Sequence, residues 1–364
     1  MVIDKIIDFY RKKFYIFSMK YFKYVIILIL VFVLLYFFFQ NVDFDMVFKI
    51  IKNVNPIYIV IFLFGLYTQF YVRAFRWGIL FRPYKKNISI LNLYHYTLIG
   101  MLINIVIPGR VGEPTRGILI AKEEGVKSGT GLATIVVERM IDFLMIIVLF
   151  FVSLLFIDSG RSKFLGELKS VAVLLVPVVI AVFLMFYLIN IPAVYRLTER
   201  VLRFIFRLVP ERSRGKVTDF FLNFIEGLKM KLGFWDSVKL LFYSVLVWVY
   251  LVPFYWFLMQ GFRFGSSVSL LDSVPYFSLI VMSAAIPTPG MAGSLDAASK
   301  HGLLELYKNQ AGQSVVSVNE AAAFTILVHA LIIMVIMIPG FISFYSKGLK
   351  LSSVKNKGKK DDLS

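Results

Sequence analysis

The chain has 364 residues, of which 59% are hydrophobic, with a net charge of +18 and no cysteine. This apolar share is well above the roughly 45–50% of soluble domains, and the lack of cysteine, with only three scattered histidines, excludes disulfide frameworks, thiol chemistry and the usual zinc sites. Positive charge in such a chain is typical of cytoplasmic loops that face anionic lipid, so nucleic acid is not an expected partner.

The first 23 residues carry six lysines and arginines and precede an apolar run, Tyr24–Phe39. No small-residue cleavage site follows, so the run predicts a retained membrane span and not a signal peptide. A helix needs about 20 apolar residues to cross a hydrocarbon core of ~30 Å. Later stretches have the same character: Met140–Ile157, Val171–Ile189, Leu240–Met259 and Ala321–Phe344. The chain is therefore predicted to be a polytopic, all-α integral membrane protein.

Arg73 and Arg76 stand at the end of the second predicted span, with Trp77 beside them. Arginine and tryptophan at a span end are typical of anchoring at the membrane interface. That is the preferred interpretation of these residues, and a port for a lipid headgroup is the alternative.

A polar break with two prolines and three glycines follows, in the sequence NIVIPGRVGEPTRG at Asn104–Gly117. Glycines let the backbone approach a ligand, free N–H groups at a helix start bind anions, and a guanidinium fits phosphate oxygens. The break therefore predicts a phosphate-binding site; its candidate residues are Gly109, Arg110, Gly112, Glu113 and Arg116. The alternative is a cytoplasmic turn in which arginine and glutamate only pair with each other.

Glu138, Arg139 and Asp142 lie at the leading end of a predicted span. Charges within a span are costly and usually face a cavity or a partner. Two roles stay open for these three residues: substrate binding, with proton coupling through a carboxylate, or an ion-pair scaffold that ties the helix to Arg73 or Arg116.

The segment Ile191–Asp236 contains nine lysines and arginines. Four arginines spaced by four, three and four residues share one helical face: Arg196, Arg200, Arg203 and Arg207. This pattern predicts a basic amphipathic helix on the membrane surface. A second such helix is expected around Phe220–Leu228, and the Lys-rich end of the chain is expected to be disordered.

A second break, PGMAG at Pro289–Gly293, repeats the P-G-x-x-G pattern of the first. An acidic residue follows each break at nearly the same distance, 30 residues from Pro108 to Glu138 and 31 from Pro289 to Glu320. The repetition predicts an inverted repeat with a substrate site between its halves. The candidate binding residues of the second half are Gly290, Gly293, Asp296 and Glu320. His329 is interpreted as a hydrogen-bonded packing residue, and a proton relay is the alternative.

The charge distribution selects the topology. If every apolar stretch crossed the membrane, Ile191–Asp236 would lie outside, against the positive-inside rule. If Leu91–Ile107 and Pro275–Pro287 enter and leave on one side, 30 of the 40 basic residues lie in the cytoplasm. This predicts about six full spans and two re-entrant hairpins, eight hydrophobic segments in all, in the cell membrane with both termini cytoplasmic.

The domain organisation follows from this topology. Residues 1–23 form a basic cytoplasmic N-terminus and residues 347–364 a Lys-rich tail. Residues 24–346 form one transmembrane domain, with the cytoplasmic basic insertion at 191–236.

RAFRWGIL, NIVIPGRVGEPTRG, the ERMID helix and IPTPGMAGS together resemble the lysylphosphatidylglycerol synthase transmembrane-region family, over roughly Tyr24 to Phe344. The second motif departs from the family pattern, with Asp296 where a glutamate is usual. The resemblance implies a lipid-translocating membrane domain. In bifunctional members an aminoacyltransferase domain follows it, and because this chain stops at Ser364, aminoacyl-lipid synthesis is not expected.

We therefore expect a flippase or transporter of an anionic phospholipid or a polyprenyl-phosphate-linked lipid, without cofactor, metal or catalytic residues. Arg110, Arg116 and Arg139 would bind the phosphate, while Glu113, Glu138 and Asp142 would tune the site. A membrane-embedded transferase on lipid-linked substrates, with Glu113 or Glu138 as base, and a scaffold for envelope assembly are the alternatives. Membrane lipids with anionic headgroups are the expected partners, and assembly into a homo-oligomer stays open.

Overall fold

The structure is a computed structural model that describes residues 29–107, 109–154, 191–206, 211–229, 232–283, 286, 288–309 and 311–349, with the single positions 177, 181, 184 and 188. In these ranges the chain forms helices joined by turns and contains no β-strand. The predicted all-α, polytopic class is confirmed. The N-terminus, the predicted span Val171–Ile189 and nearly all of the tail lie outside the described residues.

The helices of the first half are α1 (Ile29–Phe39), α2 (Phe44–Lys52), α3 (Pro56–Phe81), α4 (Ile90–Val106), α5 (Gly112–Glu123) and α6 (Ser128–Ser153). The middle segment forms α7 (Pro192–Ile205) and α8 (Glu211–Leu228). The second half contains α9 (Phe234–Val249), α10 (Val252–Met259), α11 (Ser273–Ser283), α12 (Ser294–Leu306) and α13 (Val318–Ser346), with short 3₁₀ turns at Arg263–Ser267 and Pro289–Met291.

Among the described residues, three helical segments are long and apolar enough to cross a membrane: α3, the run Phe234–Met259 formed by α9 and α10, and α13. Together α1 and α2 would make a fourth, although they meet at 78°. The helix α6 has 26 residues but carries three charged residues near its middle. The number of six full spans stays a prediction, because one of them falls outside the described residues.

The two breaks each separate a pair of helices, as the re-entrant hairpins require. The helices before the breaks, α4 with 17 residues and α11 with 11, are shorter than the ~20 residues that cross a bilayer. The element order also repeats: α3 to α6 in the first half corresponds to the run α9–α10, then α11, α12 and α13 in the second.

The two P-G-x-x-G strings share an unusual backbone conformation. Gly109 and Arg110 have φ of 92° and 54°, and Gly290 and Met291 have φ of 57° and 63°. Positive φ is costly for residues with a side chain, so both breaks hold a non-glycine residue in the left-handed region at the same motif position. The likeness of the two motifs therefore extends from their sequence to their backbone.

Helix α5 packs closely between its two neighbours through small residues. A Cβ on Gly112 would overlap the Gly100 carbonyl of α4, and a Cβ on Gly131 of α6 would overlap the Gly117 carbonyl. Glycine pairs of this kind let helix backbones approach closely in membranes. As a result α5, which carries Glu113 and Arg116, lies against α4 on one side and α6 on the other.

The middle segment forms helices as predicted. In α7 the apolar face is exposed, with Leu197 60%, Val201 46% and Phe204 69% accessible. An exposed apolar face opposite arginines is typical of a helix at a membrane surface. The attachment of this segment to lipid and its domain bounds stay predictions, and Arg207 lies outside the described residues.

Candidate functional site

A buried network of ion pairs joins three helices around Glu138 of α6. Its carboxylate accepts hydrogen bonds from Arg76 of α3 at 3.0 Å, Arg116 of α5 at 2.8 Å and Arg139 at 2.9 Å. Arg76 and Glu138 are 0% and 1% accessible at the side chain. Since removing an ion from water costs several kcal/mol, such burial requires close partners of opposite charge.

Asp142, one helical turn after Glu138, forms the second anionic centre. Arg76 donates a hydrogen bond to it, and Arg139 lies 2.8 Å from its second oxygen. Arg139 also reaches Glu113 at the start of α5, at 3.2 Å. One arginine therefore joins the three acidic side chains of this network.

Aromatic and hydroxyl side chains surround these charges. The Arg116 guanidinium lies 4.3 Å from the centre of the Trp77 ring and donates to the Thr97 hydroxyl at 3.3 Å. The Trp77 indole N–H donates to Thr134 at 3.0 Å. Because guanidinium planes stack well on aromatic faces, Trp77 fixes Arg116 in place without neutralising it.

The guanidinium groups of two further arginines at this site make fewer contacts. Arg73 is 8% accessible, yet it makes no hydrogen bond to the described residues; its contacts are Asp142 at 4.0 Å and the Trp248 ring at 5.1 Å. The guanidinium of Arg110, half-buried at the tip of the first break, likewise makes no hydrogen bond or salt bridge to the described part of the chain. Both guanidiniums thus retain most of their five donors.

The two breaks meet one another. The side-chain oxygen of Asn104 accepts a hydrogen bond from the Gly112 N–H at 2.8 Å, which closes the first break. A Cβ placed on Gly290 would lie 3.8 Å from Ile105 near the end of α4. The tip of the second break therefore packs beside the first.

The second break is held by Asp296 and His329. Asp296 accepts from the Gly293 N–H at 2.8 Å and lies 2.7 Å from Nδ1 of His329. The other ring nitrogen of His329 lies 2.8 Å from the Gly290 carbonyl oxygen. His329 is thus a hydrogen-bonded packing residue, as the sequence indicated.

Lysine at the second break has a structural contact. The Lys300 ammonium donates to the backbone carbonyls of Phe38 at 2.6 Å and Gln40 at 2.8 Å. These carbonyls lie at the end of α1, where Lys300 satisfies acceptors that the helix leaves free.

The predicted site residues divide into three groups. Glu113, Arg116, Glu138, Arg139 and Asp142 form the ion network, with Gly109 and Arg110 at its edge and Gly112 in the close contact between α4 and α5. Gly290, Gly293 and Asp296 form the second break. Glu320 is apart from both: its carboxylate accepts from the Ser317 N–H at 3.2 Å and hydroxyl at 2.8 Å at the start of α13.

The preferred interpretation of Arg73 and Arg76 was wrong. Interfacial anchors would be exposed at the end of the span, whereas Arg76 and Trp77 are both 0% accessible and bind α5 and α6 side chains. The sequence spacing places both arginines on one side of the helix, but it does not show whether that side faces lipid or protein. Among the described residues no group of three acidic or histidine side chains could hold a metal ion.

Comparisons with known proteins add two findings. The family model described as "Lysylphosphatidylglycerol synthase TM region" matches residues 23–340. The UPF0104 membrane protein MJ1595 of Methanocaldococcus jannaschii is 24% identical over 287 residues, which cover 77% of this chain and 84% of the relative. No solved structure matches.

Proposed function

This chain belongs to the lysylphosphatidylglycerol synthase TM region family, and from that premise we propose that it is a lipid flippase. It would move an anionic phospholipid or a polyprenyl-phosphate-linked lipid between the leaflets of the cell membrane. In this proposal both termini and the segment 191–236 face the cytoplasm, as the charge distribution favours.

The observation that carries the proposal is the excess of guanidinium groups at the ion network. Five arginines, Arg73, Arg76, Arg110, Arg116 and Arg139, accompany three carboxylates, Glu113, Glu138 and Asp142. A structural network would be expected to balance its buried charges, because each uncompensated ion in a membrane is costly. A phosphate diester would neutralise part of this excess positive charge.

Arg73 and Arg110 are the arginines that would bind the phosphate first. Neither donates a hydrogen bond to the described residues, so neither has to break one to bind a ligand. Guanidinium donors suit phosphate oxygens, often in pairs. Arg76 and Arg116 would keep the carboxylates in place while the headgroup passes.

The same contacts favour transport over group transfer. A general base must offer a free carboxylate oxygen to its substrate. Glu138 accepts from three arginines, and Glu113 from Arg139. Both carboxylates are thus engaged by cations, which suits them to hold the site together.

The test is movement of lipid by the purified protein in liposomes. A fluorescent phosphatidylglycerol in both leaflets should become fully accessible to an external quencher when the wild-type protein is present. Arg110→Ala should slow this movement by about tenfold or more, since it removes a charge-assisted contact. Arg263→Ala, at an exposed arginine of the second half, is the matched control and should leave the rate unchanged.

Unchanged movement in Arg110→Ala would exclude the phosphate-binding role of this break. If wild-type liposomes move no labelled lipid, and cells that contain the protein accumulate a chemically altered lipid that a deletion strain lacks in mass spectrometry, the transferase alternative is favoured. If the buried charges of the network can be replaced without loss of either activity, the scaffold alternative is favoured.

A further inference from the structure

A cavity separate from the ion network opens where the end of α3 meets the start of α4 and the side of α9. Its volume is about 690 Å³, within the range of cavities that hold small ligands. Polar side chains on its wall include Arg82, Lys86, Ser89, Lys239 and Tyr243. No residue of the ion network lines it.

The charge of this cavity is positive and only partly neutralised. Arg82 forms a salt bridge with Asp236. The ammonium groups of Lys86 and Lys239, two exposed side chains, in contrast make no salt bridge or hydrogen bond to the described part of the chain, and no acidic residue lines the wall. Two ammonium groups from different segments thus face one cavity without a protein counter-ion.

The start of α4 adds to this positive potential. Ser89 is the N-cap residue of α4, but its side chain makes no capping hydrogen bond, and both Ser89 and Ile90 line the cavity. The first N–H groups of a helix have no partner within the helix and carry the positive end of its dipole. An anion between the two lysines could accept from these groups.

The surroundings of the cavity suit a lipid more than a soluble anion. Phe75 and Tyr243, stacked with ring centres 5.9 Å apart, form part of the wall, and Phe75 is 42% accessible. On α9, Leu241 and Phe242 are each 59% accessible, next to the charged wall. An apolar helix face that continues from a basic cavity can hold acyl chains while the headgroup occupies the cavity.

We propose that this cavity binds the phosphate headgroup of an anionic phospholipid, between Lys86 and Lys239 at the N-terminus of α4. In the predicted topology it opens to the inner leaflet. The site concerns binding alone, so it does not depend on whether the protein moves lipid between leaflets.

The test is native mass spectrometry of the full chain in detergent with an equimolar mixture of phosphatidylglycerol and phosphatidylcholine of equal chain length. The wild type should retain phosphatidylglycerol preferentially. Lys86→Gln with Lys239→Gln should reduce that retention by about tenfold or more. The matched control is Lys49→Gln with Lys52→Gln, which removes the same charge from exposed positions on α2 and should retain the lipid as the wild type does.

A second variant separates loss of binding from loss of folding. Ser89→Asp places a carboxylate in the cavity but keeps a favourable N-cap residue, which stabilises a helix start. We expect unchanged or higher thermal stability together with loss of phosphatidylglycerol retention, similar to that of the double lysine variant.

Four results would overturn the proposal: equal retention of the two lipids by the wild type, unchanged retention in Ser89→Asp, an equal loss in the Lys49 and Lys52 control, or displacement of the lipid by glycerol phosphate. Competition with glycerol phosphate at millimolar concentration tests whether the cavity recognises a lipid or the phosphate group alone. If glycerol phosphate displaces the lipid in the same detergent solution, the cavity selects the phosphate itself, and the proposal of a lipid site is wrong. If it does not, the acyl chains contribute and the lipid site is supported. Absence of lipid movement in liposomes would contradict the flippase proposal but leave this measurement unaffected.

Discussion

Arg116 donates a hydrogen bond to Glu138 at 2.8 Å, and this pair joins the helix after the first break to the charged helix α6. Arg116 is 3% and Glu138 1% accessible at the side chain. The conformation of the break is thus coupled to a buried ion pair, and substitution of either residue should alter the packing of both helices.

We expect Glu138→Gln to lower the free energy of unfolding by about 3–5 kcal/mol, because it leaves three arginines without a shared counter-ion. Thermal unfolding of the detergent-solubilised protein measures the effect. Combining it with Arg116→Met should cost less than the sum of the two single changes, since the partners are in contact. Additive effects would show that the two residues act independently.

The control for this cycle is Glu199→Gln. Glu199 pairs with Arg203 at 2.8 Å on the surface of α7, where the arginine side chain is 59% accessible. An exposed pair of this kind contributes about 0–1 kcal/mol, so the control should unfold nearly as the wild type does.

Substitution of Arg73 and of Arg76 should affect stability and lipid movement to different extents. Arg76→Gln removes hydrogen bonds to Glu138 and Asp142 and should cost about 3–5 kcal/mol of stability. Arg73→Gln removes a 4.0 Å ion pair and a cation–π contact with Trp248, but no side-chain hydrogen bond; it should cost about 1–2 kcal/mol while it slows lipid movement. Unfolding and the liposome assay, made on the same preparations, distinguish the two. Equal loss of stability would mean that Arg73 is structural.

Gly112→Ala should destabilise the first break by about 2–4 kcal/mol. The added Cβ would overlap the Gly100 carbonyl and lie 2.7 Å from the Asn104 side-chain oxygen, which accepts from the Gly112 N–H. Gly215→Ala is the control: it lies in α8, with no atom within 4 Å of an added Cβ, and should be neutral or stabilising by up to about 1 kcal/mol. Similar melting temperatures for both variants would contradict the close packing.

The end of α13 is held to α5 by a pH-sensitive contact. Partial burial raises the pKa of Glu123, but hydrogen bonds from Lys347, at 2.7 Å, and from Tyr96 outweigh it and lower the pKa below its usual value. Because the folded-state pKa is depressed, the contact stabilises the fold at pH values above the unfolded pKa of about 4.3. This stabilisation is lost as the pH falls through the folded-state pKa.

Glu123→Gln should therefore cost about 0.5–1 kcal/mol near pH 7, given the exposure of the pair. The difference from the wild type should shrink as the pH is lowered from 6 to 3, in unfolding measured at each pH. Lys347→Met should also lower stability, and the double variant should lose less than the sum of the two single changes, since the partners are in contact. A difference that grows with acidity would contradict this assignment.

Local chemistry made the two breaks predictable from sequence. Pro and Gly together favour the end of a helix, and α4 and α11 do end before Pro108 and Pro289, although the Pro339–Gly340 pair lies inside α13. The charged residues of α6 were identifiable for a similar reason, since a charge on an apolar helix implies a partner. The identity of that partner was not, because it depends on how closely Gly112 and Gly131 let α5 approach its neighbours.

Two assignments show where local patterns are insufficient. An arginine beside tryptophan at the end of a span reads as an interfacial anchor whether it faces lipid or protein, and only packing places Arg76 inside. Glu320 shares its spacing from a break with Glu138, yet it belongs to a capping box with Ser317. The pattern Ser-x-x-Glu at a helix start was visible in the sequence, and it indicates a different environment from that of Glu138.

The contacts of His329 set the number of protons at the second break. The Gly290 carbonyl can only accept, so Nε2 must carry a hydrogen, and Nδ1 then faces the Asp296 oxygen at 2.7 Å. A hydrogen bond across that distance requires one more proton, on the imidazole or on the carboxyl group. In either case the Asp296–His329 pair is electrically neutral, and loss of that proton would set two acceptors against each other. The closed second break therefore holds one proton shared between Asp296 and His329, whereas the carboxylates of the ion network accept from arginines.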